Sequence, residues 1–374
     1  VLTRFDDYPI HQTAEPIAHA STGDRNFYDR YFFNGYDRDG EIFFAVALGL
    51  YPNRRVMDAS LSVVHGGRQH SLHASRLAPS ERTETRVGPI RVDVIEPMRR
   101  LRVRVAAGHG GLAADLLFHA RTQPVEEPRF RRLQEGRLVM DSTRFTQFGS
   151  WEGSLEVDGR RLEIARAQIL GCRDRSWGVR TVGEREAGAP GPLPQFFWLW
   201  APLNFDACCT HFDVNEDAQG GRWHAFGSLL PALAPAAPTD VALPAAPSDL
   251  TQVSHAIDWQ PGTRRPRSAR LTLAEGTNTA PGCEISLEPL LTFQMLGLGY
   301  LHPTWGHGLW KGEDAVEVES WRLDECAPMD PRHLHVQQLC RARMDGKEGV
   351  GVLETLVIGP HAPSGFQGLL DPAS

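Results

Sequence analysis

Apolar residues in this chain alternate with polar ones in short segments, and almost nothing repeats with the period of an amphipathic helix. Alternation at every second position turns one face of an extended segment to a core and the other to solvent. Residues 90–95 and 101–105 (LRVRV) alternate cleanly, as half-buried antiparallel strands do. Residues 41–50 (EIFFAVALGL) form an apolar run of strand length after the turn Asp37-Arg38-Asp39-Gly40, and residues 55–64 read as the hairpin partner. Asp158-Gly159 between alternating flanks is a strong hairpin signal. Further strands are expected at 207–215, 252–259, 268–273, 315–323 and 349–358. Roughly a dozen or more short strands at such spacing predict an all-β chain of sandwiches or barrels.

Two aromatic pairs, Phe32-Phe33 and Phe196-Phe197, each precede a strand and a polar turn, which suggests two halves. The halves are drawn at 1–190 and 191–374, each an antiparallel barrel. With 374 residues, either reading buries a sizeable core. The Ala- and Pro-rich stretch 230–250 is expected to be a long loop, either a disordered excursion or a lid over a cavity mouth.

Net charge is −7 and no block of Lys and Arg stands out, so nucleic acid and anionic membranes are poor partners for this surface. No apolar stretch is long enough for a membrane helix. The six cysteines form no CxxC pair, and Cys208 and Cys209 are adjacent, which argues against a disulfide framework and for a reducing, cytoplasmic setting. Residues 1–25 lack the apolar core of a signal peptide, although a chain that begins without Met leaves room for a removed segment.

The sharpest chemical motif is Gly171-Cys172-Arg173-Asp174-Arg175-Ser176-Trp177-Gly178. In an extended chain Cys172, Asp174 and Ser176 share one face. An aspartate turned into apolar surroundings is pushed towards its protonated form, whereas flanking arginines push it the other way. The aromatic run 196–200 offers Trp198 and Trp200 as cavity walls, where indole faces attract a developing cation. Around Gly299-Tyr300-Leu301-His302-Pro303-Thr304-Trp305-Gly306-His307-Gly308, His302 and His307 are candidate proton shuttles, or caps of a tight turn. Asp206 and His211 are candidates to join the cavity. Cys209, His211 and Asp213 share a strand face without an orienting third group, so covalent catalysis is not expected. His333 and His335 lack a third ligand at a familiar spacing, so no metal is expected. Gly108-His109-Gly110-Gly111-Leu112-Ala113 fits a dinucleotide-binding pattern but follows a strand that is polar on one face, and reads as a hairpin turn.

The phrase RDRSWG, with an apolar strand before it and the aromatic run after it, resembles the acidic signature of the carotenoid 1,2-hydratase-like superfamily, which includes AttH-like proteins. The 299–308 segment resembles one in bacterial relatives of that group. The resemblance spans about residues 30–360 and rests on these two motifs. It implies two lipocalin-like barrels packed together, with a cavity at or between them and no cofactor. It also implies a hydrophobic, terpenoid or steroid-like substrate. Arg175 stands where the superfamily often has histidine. The expected activity is a hydratase or lyase, with Asp174 as acid, His302 or His307 handling water, and Trp177, Trp198, Trp200, His211, Tyr300 and Trp305 around the substrate. The alternatives are a cofactor-free isomerase or cyclase and a non-catalytic carrier, and a homodimer is left open.

Overall fold

A computed structural model of the protein describes residues 1–184, 191, 193–275 and 282–374. Among them there are strands and short 3-10 turns but no α-helix. The strands form two antiparallel sheets, one of 14 strands and one of 10. Each sheet curls until its ends meet. In the first, Arg76 Nη1 donates to the Arg86 carbonyl at 3.1 Å. In the second, the Leu250 amide donates to the Gly227 carbonyl at 2.8 Å. The two sheets share one plan. The opening strand of the first, Phe27–Tyr36, lies between Ile42–Tyr51 and the closing strand Leu170–Arg180. The opening strand of the second, Phe196–Trp200, lies between Cys208–Glu216 and the closing strand Lys347–Ile358.

Alternation explains why the central strands are apolar on both faces. Phe44, Val46 and Leu48 point into the first barrel, whereas Phe43, Ala45 and Ala47 point into a core shared with the second. The same division separates Phe33 from Phe32, and Phe197 and Leu199 from Trp198 and Trp200. The run EIFFAVALGL is therefore a strand with a core on each side, and every residue of Ile42–Tyr51 is buried.

One strand crosses between the halves. Ala315–Arg322 leaves the second sheet's stretch of sequence and pairs with Arg68–Leu77 of the first. Its approach lays residues 295–314, including the second sequence motif, along the seam between the barrels. The boundary expected at residue 190 lies outside the described residues.

The turn readings agree with the backbone. Asp158 and Gly159 have φ of 51° and 71°, and Gly110 and Gly111 have 58° and 74°, as two-residue hairpin turns require. The dinucleotide-like glycines thus join two antiparallel strands, Arg100–His109 and Leu112–Ala120. The Ala- and Pro-rich stretch is neither an excursion nor a lid. Its carbonyls accept from Ser150 Oγ (to Pro235, 2.7 Å), Arg166 Nη2 (to Ala237, 2.7 Å) and Arg99 Nη2 (to Val241, 2.7 Å), which straps it across the first barrel. No helix among the described residues is long and apolar enough to cross a membrane.

Asn34 knots the seam together. Its carbonyl accepts from Trp151 Nε1 at 2.8 Å, its Oδ1 from the Cys172 amide at 2.9 Å, and its Nδ2 donates to Gln337 of the second barrel at 3.2 Å. A β-carbon on Gly171 would lie 2.0 Å from the Asn34 carbonyl oxygen. Gly171→Ala must therefore push two paired strands apart. We expect a loss of about 2 kcal/mol or more in urea unfolding.

Candidate active site

A cavity of about 670 Å³ opens where the shared core gives way to polar side chains. Its walls come from Phe27–Tyr36, Arg137–Val157 and Leu170–Arg180 on one side, and from Phe196–Trp200 and Lys347–Ile358 on the other. Tyr300, Gly306, His307 and Leu309, on the segment laid along the seam, line it too. The exposed residues Thr181, Pro194 and Leu301 mark its mouth. The volume is that of a pocket for one small molecule.

Asp174 lies in this cavity because of strand register. It is opposite Phe32 on one neighbour and Thr146 on the other, so its side chain leaves the sheet on the face shared with the second barrel. Neither carboxyl oxygen has a hydrogen bond or ion pair among the described residues. Protein atoms cover the residue only partly because the carboxyl faces the cavity. Removal from bulk water nonetheless dominates, and it pushes the group up to about 7. The Arg144 and Arg30 guanidiniums oppose that rise, and the Glu127 and Glu354 carboxylates add to it.

The arginines of the motif do not lock Asp174. Arg175 turns to the other face, pairing with Asp29 at 2.5 Å and lying 4.0 Å over the Tyr31 ring. Arg173 donates to Gln147 Oε1 at 2.9 Å.

Glu354 lies in the opposite wall in a contrasting environment. It accepts hydrogen bonds from His335 Nε2 (2.7 Å), Gln337 Nε2 (2.7 Å) and Trp198 Nε1 (3.1 Å). Burial works against the charge, but those donors, His335 first, hold the carboxyl below its ordinary value. One cavity thus contains a carboxyl inclined to keep its proton and another inclined to stay ionised. Such a pair is what acid–base chemistry at neutral pH requires.

Arg144 joins the barrels beneath the cavity. Its Nε donates to Glu127 at 2.6 Å and its Nη2 reaches Asp213 of the second barrel at 3.2 Å. The guanidinium carbon lies 4.7 Å from the Phe130 ring, 4.9 Å from Trp198 and 5.7 Å from Trp200.

Of the candidate residues, the cavity brings together Asp174, Trp198, Tyr300, His302 and His307. The two histidines correct an expectation, because neither has a ring nitrogen free for water. His302 Nδ1 accepts from the Thr304 and Trp305 amides (3.1 and 2.9 Å) while Nε2 bonds Glu319 at 3.0 Å, so the residue caps a turn. His307 Nε2 donates to the Leu298 carbonyl at 2.8 Å and Nδ1 accepts from Arg180 at 3.0 Å. Burial, with Arg30 and Arg180 alongside, holds His307 well below the usual imidazole value and hence neutral.

Five candidates lie elsewhere. Trp177 is on the face turned to the first barrel's interior, partly exposed and against Phe145, because its position in the strand is odd relative to Asp174. Trp200 is fully buried behind Arg144, and Trp305 stacks on His73 outside the main cavity. His211 is buried beside Glu127 and Asp213. Asp206 is exposed and pairs with Arg38. Burial pushes the Cys209 thiol up to about 12, so it stays protonated. His333 closes a 3-10 turn, so it does not share a strand face with His335.

Arg30, Arg144, Arg180, His335 and Glu354 are the residues that sequence reasoning missed. Only Arg30, two positions from Phe32 on an alternating strand and so on the same face, carried any local signal.

Among the described residues two clusters have metal-like spacing: His73, His302 and Glu319, and Glu127, His211 and Asp213. In the first, the two amides on His302 Nδ1 require the proton on Nε2, which removes the lone pair a metal would need. In the second, Arg144 already bonds both carboxylates. Both are hydrogen-bonded ion networks.

Two curled antiparallel sheets packed around such a cavity define a double-lipocalin-like protein. The chain belongs to a family of unknown function, DUF8625, whose model matches residues 2–367. Three solved structures share the fold. An AttH-type protein from Nitrosomonas europaea is 13% identical, with 88% of this chain and 92% of that one covered and a TM-score of 0.54. Kievitone hydratase from Nectria haematococca is 15% identical, with 88% of each chain covered and a TM-score of 0.51. CghA in complex with Sch210972 is 12% identical, with 89% of each chain covered and a TM-score of 0.51. No curated protein matches in sequence. At these identities the likeness is one of fold.

Removing Arg144 takes the guanidinium from the buried Glu127 and Asp213 carboxylates and leaves them only the His211 and His224 imidazoles as ion-pair partners. Arg144→Met should cost about 3–5 kcal/mol in urea unfolding at pH 7. Adding Glu127→Gln and Asp213→Asn should recover most of that loss.

Proposed function

We propose that this protein is a cofactor-independent hydratase or hydro-lyase that adds water to, or removes it from, an apolar substrate held between the barrels. The observation that carries this reading is the contrast between Asp174, unpartnered and inclined to stay protonated, and Glu354, hydrogen-bonded and inclined to stay ionised. That one protein of the same fold is named a hydratase, and another was crystallised with a small molecule, fits the reading.

In the hydration direction, neutral Asp174 gives its proton to one alkene carbon and becomes a carboxylate. Water attacks the other carbon, a C–O bond forms, and the surplus proton of the attacking water passes to Glu354. Exchange through the cavity returns the proton to Asp174, so the sum is alkene plus water giving alcohol. Dehydration is the reverse. His335 orients Glu354 by donating to it, a positioning role rather than a catalytic one.

The aromatic rings serve mainly as walls. The Trp198 face lies under Arg144 and the Tyr300 face under Arg30, so both are already occupied by cations. Positive charge that develops on the substrate is met instead by the two carboxylates.

Asp174 must be protonated and Glu354 ionised to act, so turnover should fall tenfold per pH unit above about 7, stay flat below it, and fall again only at acid pH below the ordinary carboxylate range, where Glu354 takes up its proton. The test is incubation with apolar alkenes and tertiary alcohols in oxygen-18 water, read by mass spectrometry. Asp174→Asn should lower label incorporation by roughly 10²–10⁴-fold with the fold intact by circular dichroism. Activity near that of the parent in the variant would remove Asp174 from the chemistry and favour a cyclase or isomerase that works by shape.

A further inference from the structure

Buried arginines in this protein are satisfied in recognisably different ways. Arg121 gives its protons to four oxygens, the carbonyls of Leu233, Phe205 and Asp206 and the Asn204 amide, at 2.7–2.9 Å. Arg144 has two carboxylates. Arg30 and Arg180, both lining the cavity, have neither arrangement.

Arg30 is 3% exposed, its Nη1 donates to the Tyr300 hydroxyl at 2.6 Å, and its Nη2 lies 3.0 Å from His307 Nε2. The Leu298 carbonyl is 3.4 Å from its Nη2, and its Nε is buried with no partner. Arg180 gives Nη2 to His307 at 3.0 Å, and neither its Nε nor its Nη1 has a hydrogen-bond partner among the described residues. The two guanidiniums converge on His307, which is neutral and cannot balance them. No carboxylate lies within ion-pair distance of either among the described residues. Asp58 and Asp174 act on Arg30 only through space, and burial raises both, to about 6 and about 7.

Two guanidiniums without a carboxylate at ion-pair distance, facing a cavity, favour a counter-ion in the complex. A guanidinium with an open fork is suited to a planar oxyanion. The surfaces of Phe130, Phe196, Trp198, Met140 and Leu356 elsewhere in the cavity suit an apolar body.

We propose that Arg30, Arg180 and the Tyr300 hydroxyl form an anion subsite, and that the natural substrate is an apolar molecule carrying a carboxylate. This inference rests on the reading of the cavity as the substrate site. A bound carboxylate cancels the field of the two guanidiniums, which would otherwise oppose positive charge on the reacting carbons. The subsite thereby fixes which end of the substrate faces Asp174.

The test is equilibrium binding of dodecanoate and of dodecan-1-ol, probes of equal chain length, to the full chain at pH 6, where Asp174 keeps most of its proton. Trp198 in the cavity wall supplies a fluorescence signal, and calorimetry an independent one. Dodecanoate should bind about tenfold tighter or better. Arg180→Gln should abolish most of that preference and leave dodecan-1-ol affinity within about twofold. Arg30→Gln should do the same, and if it fails to fold, Arg180→Gln decides alone. Equal affinity of the two probes for the parent protein, no binding of dodecanoate, or a preference that survives Arg180→Gln would overturn the proposal. Asp174→Asn should keep the preference. Lost turnover with an intact preference therefore bears on the acid alone, and intact turnover without a preference bears on the subsite alone.

Discussion

Every feature of the site follows from strands that are buried on both faces. Alternate side chains of Phe27–Tyr36, Ile42–Tyr51 and Leu170–Arg180 serve the first barrel's own core and the core shared with the second. A strand in that position cannot slip by one residue without exchanging its two faces. The register that puts Phe32 against Trp200 also fixes Asp174 on the face shared by the barrels, and Arg175 on the other. The placement of Asp174 in the cavity is thus inherited from packing.

The shared core is dry at one end and polar at the other. Where it turns polar, charge is distributed unevenly. Arg144 is bracketed by Glu127 and Asp213, and Glu354 by His335, Gln337 and Trp198. Asp174 is left without a partner, and so are Arg30 and Arg180 apart from the Tyr300 hydroxyl and His307. Groups that a stable fold would satisfy are left open where a ligand would complete them, a pattern common to binding sites. Arg144 and its two carboxylates tie the barrels together, while Asp174, Arg30 and Arg180 face the cavity without such partners.

Much of the architecture was legible in the sequence because period-2 alternation and Asp-Gly or Gly-Gly turns are local signals. The strand at 252–259 and the hairpin at 158–159 fall where the pattern puts them. Asp174 was legible for the same reason, since its neighbours at every second position are inward-facing. Trp177 illustrates the limit, because membership of a motif does not override its odd position on the strand. His302 and His307 show a different limit: whether an imidazole is free depends on amides and guanidiniums that reach it from elsewhere in the chain. Glu354 and His335 were not legible, because they become a pair only when two strands align, and the crossing of Ala315–Arg322 to the other sheet has no local signature.

The cavity raises the Asp174 carboxyl to about 7, so that a large share of it holds its proton at neutral pH. Carboxyl-carbon NMR across a pH titration, with the Asp174→Asn protein identifying the resonance, reads that directly. The expected midpoint is near 7. A midpoint close to the ordinary aspartate value of about 4 would contradict it, and the acid would have to be sought elsewhere in the cavity.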